Sequence, residues 1–549
     1  MKFVSFIATL LAPAATFAAW GYTDDGNNYV IDTNANLVVK VSKTNGDMTS
    51  IKYGGVEYNG QSGKNSQVES GLGASTVTIK QFTDQNVIKV NVVHGTLKHD
   101  LVFRYGNPNV YIFTNKADSS VTVSRYIIRI PDGIFTNDLV SDTDWIPSGA
   151  VVIEAGDVDE VTSNGHTYSK HYSGYKYGRT MDYDYVDYKN ANVGMYLIRS
   201  NHEKASGGPF FRSLIRRGGG GPDLYDIYHY SMGHTDVERF GLQGPTVLHF
   251  TDNGAAANTN LFARNADWGW IDSLSIAGWV PASQRGAIAG VGLANMKSGL
   301  QYVVGLKSDA AQYWGTAASS NGAWKISKVL PGTYTLTVYK SELEVYTSTV
   351  TITAGTTTTA NTITCVDPQD TTAIWRIGVW DGSPKGFLNF GDTPMKPTYM
   401  HPSDTRLASW TPSNFIIGTS AAALFPGYMW KDVNSPYLVY FRLTTAQLAS
   451  SFKIRIGVTE GVTGGRPSIE VNSWVAALQA QKTQSDTRSL TVGTYRGNNQ
   501  VYEYTVPASA WVQSTSEYQI LKINIITGKT GTAFLSGGVS FDALEMVAV

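Results

Sequence analysis

From residue 20 to its C-terminus the chain repeats one pattern. Short runs alternate apolar with polar residues, and turns rich in glycine and asparagine break them. Val30-Ile-Asp, Leu37-Val-Val-Lys-Val, Val87-Ile-Lys-Val-Asn-Val-Val and Val121-Thr-Val-Ser-Arg-Tyr-Ile-Ile carry the pattern early, and Ile520-Leu-Lys-Ile-Asn-Ile-Ile carries it late. A period of two sends every second side chain to one face, as a half-buried strand requires and a helix does not. No long stretch with a 3.6-residue period occurs before residue 270. Charged residues are 16% of the chain, against about 25% in an ordinary globular protein, and Gly reaches 55 and Tyr 31. Few charges with many glycines and aromatics suit strands and turns rather than surface helices. The expected fold class is all-β.

The 549 residues divide by composition. Residues 1–19 read as a secretory signal peptide: Lys2, an apolar run from Phe3 to Leu11, then small residues around Thr16 and Ala18. The run is too short to span a bilayer and no later stretch is long and apolar enough, so a secreted protein without membrane attachment is expected. Residues 20–273 read as one large antiparallel β domain of two packed sheets. Residues 274–367 hold two β runs joined by a turn, Leu330 to Tyr339 and Glu344 to Thr353, which fit a small sandwich. Residues 368–549 carry six of the 13 Trp and read as a jelly roll of carbohydrate-binding type, its tryptophans serving as sugar platforms or as core. Cys365 is the single cysteine, so no internal disulfide can form, and its alternating surroundings point to a small buried side chain.

Lys and Arg number 43 and Asp and Glu 44, a net charge of −1 that excludes a polycation and argues against nucleic acid as a partner. The charge is not evenly spread. Between His166 and Arg217 there are nine Lys and Arg against four Asp and Glu, a local charge of +5, with seven tyrosines interleaved from Tyr168 to Tyr188. Six of the nine His lie between His166 and His249. Cations that hold carboxylates beside aromatic faces that pack on sugar rings suggest an anionic sugar polymer, while a solvated loop with tyrosines packed on a sheet is the competing reading. A uronate polymer can be cut by β-elimination. That reaction needs a cation on the carboxylate, a base for the C5 proton and an acid for the leaving oxygen. Lys, Arg, His and Tyr supply these types here. Asp182, Asp184 and Asp187 have oxygen for Ca²⁺, but strand alternation separates Asp187 from the other two. No Cys and His spacing suggests zinc.

An ordered set of motifs runs the length of the chain. It includes Tyr29-Val-Ile-Asp-Thr-Asn-Ala, Gly71-Leu-Gly, Ser206-Gly-Gly-Pro-Phe, Gly241-Leu-Gln-Gly-Pro, Ala310-Ala-Gln-Tyr-Trp, Pro331-Gly-Thr-Tyr-Thr, Gly378-Val-Trp-Asp-Gly, Met400-His-Pro-Ser-Asp, Gly464-Gly-Arg-Pro and Thr494-Tyr-Arg-Gly. In these the chain resembles the fungal rhamnogalacturonan lyases of polysaccharide lyase family 4. The resemblance implies an N-terminal β-supersandwich, a fibronectin-III-like middle domain and a C-terminal jelly roll. It implies cleavage of the rhamnose–galacturonate backbone of rhamnogalacturonan I at galacturonate C4–O. Ser169-Lys170-His171-Tyr172-Ser173 resembles the context of the family's catalytic lysine, and Gly233-His234 with Glu238 that of its catalytic histidine. Tyr228 and Tyr230 resemble its cleft tyrosines, Arg125 a substrate arginine on an Arg-x-Ile-x-Arg strand, and Arg488 a cleft arginine from the third domain. Lys170 and His234 can exchange base and acid roles. The expectation is a monomer that needs no cofactor and no catalytic metal, with room for a structural Ca²⁺. Two rivals stay open. One is a glycoside hydrolase using carboxylates among Asp142, Asp144, Asp182 and Asp184. The other is a pectin-binding protein without turnover.

Overall fold

The computed structural model describes residues 20–135, 149–154, 158–161, 164–169, 184–204, 208–210, 214–217, 222–229, 237–388, 390, 405, 413–431, 434–462, 464–483, 499–526 and 538–549. Among them, strands dominate, and the one α-helix is the single turn Thr445–Leu448, held by a capping box between Thr444 and Gln447.

Five strands open the chain, from Tyr22–Asp24 to Val56–Glu57, each antiparallel to the next. The largest sheet has seven antiparallel strands in the order Tyr185–Lys189, Val193–Arg199, Gly241–Asp252, Asn109–Lys116, Leu97–Arg104, Val87–His94 and Thr76–Phe82. One face shares a core with the first sheet, where Ile31, Val39 and Ile51 meet Ile88, Leu101 and Phe103. The other face is covered by the segment that follows, through Leu261, Phe262, Ile271 and Leu274. A sheet covered on both faces loses the alternation of a half-exposed one, which is why Val193–Arg199 is buried at every position.

A four-stranded sheet, Leu214–Arg217, Asp223–Ile227, Arg125–Arg129 and Gln67–Val68, lies over the same core. Tyr126, Ile128 and Leu224 point into that core, while Ile127, Tyr225 and Ile227 form a separate cluster on the other face. The strand expected from Val121 begins only at Arg125. Ser124 explains the delay. Its backbone N–H and hydroxyl both donate to the Glu69 carboxylate, at 2.8 and 2.6 Å. Its carbonyl accepts from the N–H groups of Tyr228 and His229. No ladder position is left to it.

In the middle of the chain Tyr302–Lys307 lies between Gln312–Thr316 and Gly332–Lys340, which turns back into Leu343–Ile352. These strands share a core with the sheet of Trp324–Val329, Gly286–Gly290 and Thr357–Ala360. Cys365 sits in this core, 2% exposed, and burial pushes its thiol pKa up, so it is a packing residue. The C-terminal part is two five-stranded sheets around one core. Trp375, Trp380, Trp430 and Trp511 are buried and Trp474 packs against the core, so these tryptophans are filling and not sugar platforms. Trp410 lies outside the described residues.

Several of the sequence motifs turn out to be junction pieces. Gly208, at φ +58, leaves room for the Trp314 ring, because a Cβ there would lie 2.3 Å from it. Phe210 packs edge-on against Trp314 and Tyr339. Glu203 accepts hydrogen bonds from Arg285 and, at 2.6 Å, from Tyr313. At the next junction the Gly378-Val-Trp-Asp-Gly turn meets the Lys340–Leu343 hairpin, and the Glu342 N–H donates to the Asp381 carbonyl. Asp542 accepts from the N–H groups of Asp381 and Gly382, both at 2.9 Å. Burial, with Asp381 close by, holds its carboxyl well above the usual range. Asp542→Ala orphans two buried N–H groups and is expected to lose about 1–3 kcal/mol for each. Asp542→Asn keeps the accepting oxygen and is expected to unfold near the wild-type temperature. Calorimetry of the two variants side by side checks this.

Candidate active site

Arg125 opens its strand on the face that carries Ile127, Tyr225 and Ile227. Its guanidinium lies 5.7 Å from the centre of the Tyr225 ring, and its Nε is 3.5 Å from a Glu69 oxygen. Glu69 is at φ +54 and donates its own N–H to the Arg125 carbonyl at 2.9 Å. Ser124 is bound to the same Glu69 carboxylate, which sets a fixed anion beside the arginine. Sequence reasoning missed Glu69. Its one signal was its place two residues before the Gly71-Leu-Gly turn, whose Gly71 is at φ +100.

Glu238 is half-buried and forms an ion pair with Lys116, which also donates to the Val123 carbonyl at 2.9 Å. Lys116 is 5% exposed and was likewise missed, since nothing in its strand Asn109–Lys116 marks it. Glu238 therefore serves first as the counter-ion of a buried lysine, four residues beyond His234.

Tyr228 corrects the expectation that it lines the cleft. It is 5% exposed and belongs to the inner core. Alternation explains this: Tyr228 shares the inward parity of Leu224 and Asp226, opposite to Tyr225. Its hydroxyl meets Thr114 Oγ1 at 2.9 Å, which meets His99 Nδ1 at 2.9 Å. Burial pushes the Tyr228 phenol up to about 12 and the His99 ring down to about 3. The three groups form a neutral, buried chain of hydrogen bonds beneath the Arg125 sheet.

The basic block is also less exposed than its composition implies. Arg199 is fully buried and ion-paired with Asp226, which accepts from Thr246 at 2.6 Å as well. Arg216 is 1% exposed, stacks 4.3 Å from the Tyr188 ring centre and donates to the Asp187 carbonyl. Lys204 donates to the Ala310 carbonyl at 2.6 Å. These cations hold the fold. Lys170, His234, Tyr230 and Arg488 lie outside the described residues, as do Asp142, Asp144 and Asp182. Lys170 directly follows the strand His166–Ser169. Asp184 is bound to Arg264 at 2.6 Å, which removes it as a free carboxyl acid. Among the described residues no group of three His, Cys, Asp or Glu is arranged to hold a metal ion.

Comparison with known proteins supplies the class and then the family. Residues 20–278 match the N-terminal domain of rhamnogalacturonan lyase B, and residues 284–360 and 373–546 match domains II and III of polysaccharide lyase family 4. Rhamnogalacturonate lyase A of Aspergillus aculeatus is 35% identical over 100% of this chain and 98% of its own length. Rhamnogalacturonate lyase A of Emericella nidulans is 36% identical over 96% of each. The fold is that of an all-β polysaccharide lyase. The chain belongs to polysaccharide lyase family 4.

The buried imidazoles predict a pH dependence. His99 and His249 are held neutral by burial, at about 3 and about 4 against an ordinary 6.5. Between pH 6.5 and these values the unfolded chain binds protons that the folded chain does not. Stability therefore falls as pH drops through this window, by up to about 1.4 kcal/mol per pH unit for each ring. Denaturant midpoints measured from pH 7 to pH 4 should show the loss, and His99→Gln should flatten the slope.

Proposed function

We propose that this polysaccharide lyase is a secreted, monomeric rhamnogalacturonan endolyase. The observation that carries the reading is the likeness, over nearly the whole chain and in all three domains, to proteins named rhamnogalacturonate lyase. Arg125, aimed by Glu69 on the outer sheet face, adds a cation suited to a galacturonate carboxylate. The leader-like residues 1–19 support secretion, and among the described residues no helix is long and apolar enough to cross a membrane.

In the proposed reaction a cation draws charge onto the galacturonate carboxylate and makes the C5 proton more acidic. Lys170 takes that proton. The electron pair forms the C4–C5 double bond, the C4–O bond breaks, and His234 gives a proton to the departing rhamnose oxygen. Arg125 holds the carboxylate, as an arginine can with paired hydrogen bonds. Tyr230, Glu238 and Arg488 are proposed to line the substrate path, Arg488 from the third domain. Tyr228 supports the floor from below. No cofactor enters these steps, and a structural Ca²⁺ would act on stability alone.

Wild-type protein acting on rhamnogalacturonan should generate the ultraviolet absorbance of an unsaturated uronate, and Lys170→Ala and His234→Ala should each abolish it. A new reducing end without that absorbance would favour the hydrolase, and full activity in Lys170→Ala would remove the assigned base. Arg125→Ala is expected to lower kcat/KM on the order of 100-fold, the loss typical of one charge-stabilising donor. Glu69→Gln should lower it less, because the arginine remains but loses its anchor.

A further inference from the structure

We propose that the junction between the first and second domains holds a second binding site, for one neutral sugar ring. A cavity of about 340 Å³ opens there. Ligand pockets run from roughly 300 to 1,000 Å³, so this one suits a single ring better than a chain. Three tryptophans line it, Trp268, Trp279 and Trp314. Each is held in place. Trp279 donates to Asp272 at 2.8 Å, Trp268 packs edge-on against Tyr111, and Trp314 is set between His202 and Phe210. Pre-positioned indole faces are surfaces on which the C–H face of a sugar packs.

The polar part of the lining points the same way. Ser200 and Gln312 line the cavity and are 2% and 1% exposed. Ser200 Oγ, Gln312 Nε2 and Trp268 Nε1 are buried without a hydrogen-bond partner. Arg239 donates to the other end of the Gln312 amide, Oε1, at 3.1 Å, so Nε2 is the end left to bind. A buried polar group left without a partner is destabilising, and three around one cavity match the hydroxyls of a sugar. The cations in the wall are already engaged. Arg264 holds Asp184, Arg285 holds Glu203, and Lys328 donates to the Ala266 carbonyl at 2.8 Å. Among the described cations of the lining, Lys325 alone is exposed and outside these pairings. The wall therefore favours a neutral ring over a uronate. None of the residues proposed for the lyase reaction lines this cavity, so the inference stands or falls apart from that reading.

The test uses the full chain and reads binding, not turnover. Galactose, arabinose, rhamnose and galactobiose, with galacturonic acid as comparison, are titrated against intrinsic tryptophan fluorescence and ligand-observed NMR. At least one neutral sugar should bind saturably. Trp279→Ala should weaken it tenfold or more. Ser200→Ala, which removes an orphaned hydroxyl and should hold or raise the thermal transition, should weaken it several-fold. The proposal is overturned if no neutral sugar binds, if both variants bind as the wild type does, or if galacturonic acid binds equally well and is lost in Trp279→Ala.

Discussion

The strand Asp223–Ile227 carries two buried carboxylates, and the first domain is organised around where they point. Asp223 faces outward and is bound by Arg129 and by the Tyr225 hydroxyl, at 2.9 and 2.8 Å. Asp226 faces inward and is bound by Arg199 and Thr246 of the seven-stranded sheet. One strand is thus fastened to its neighbour Arg125–Arg129 and ties the upper sheet to the lower. A buried pair of this kind adds little net stability over an apolar pair, but removing one partner strands a charge at about 3–5 kcal/mol. What it supplies is position. With Asp226 fastened below, the opposite face of the same strand pair presents Arg125, Tyr225 and Ile227 at a fixed height.

The fold was legible because its signal is local. Alternation marked strands at Leu37–Ser42, Val87–His94 and Gln519–Ile526, where one face is covered. It failed at Ser124, where side-chain and turn hydrogen bonds outcompete the ladder, and such competition leaves no periodic trace. The site was legible in part. Arg125 could be named from its strand, but Glu69 could not, because the contact joins residues 56 apart through a backbone at φ +54. Tyr228 was assigned to the cleft by resemblance, and alternation alone would have paired it with Leu224 and Asp226 on the inside.

The +5 block shows how a charge count misleads. The window ends at Arg217, six residues before Asp223. Asp226, the partner of Arg199, also lies beyond that end, so the count kept one side of this pair and lost the other. Arg216 donates to the Asp187 carbonyl and stacks on the Tyr188 ring, so it too is spent inside the fold. Net charge over a segment measures recognition only when its charges face solvent, and in this sheet several face the core.

The glycine and tryptophan motifs that run through the chain have a similar lesson. Gly208 and Trp314, or Gly382 and the Lys340–Leu343 hairpin, are partners across domain junctions, where the ring or backbone of one domain occupies the space a side chain would need in the other. Such positions tolerate little change although none touches the proposed chemistry. They set the angle between domains, and Arg488, proposed for the cleft from the third domain, can reach a substrate on the first only if both junctions hold that angle. In a chain of three β units with a single cysteine, the close-packed junctions do the positioning that disulfides could otherwise supply, which makes the catalysis proposed for the first domain depend on packing in the second.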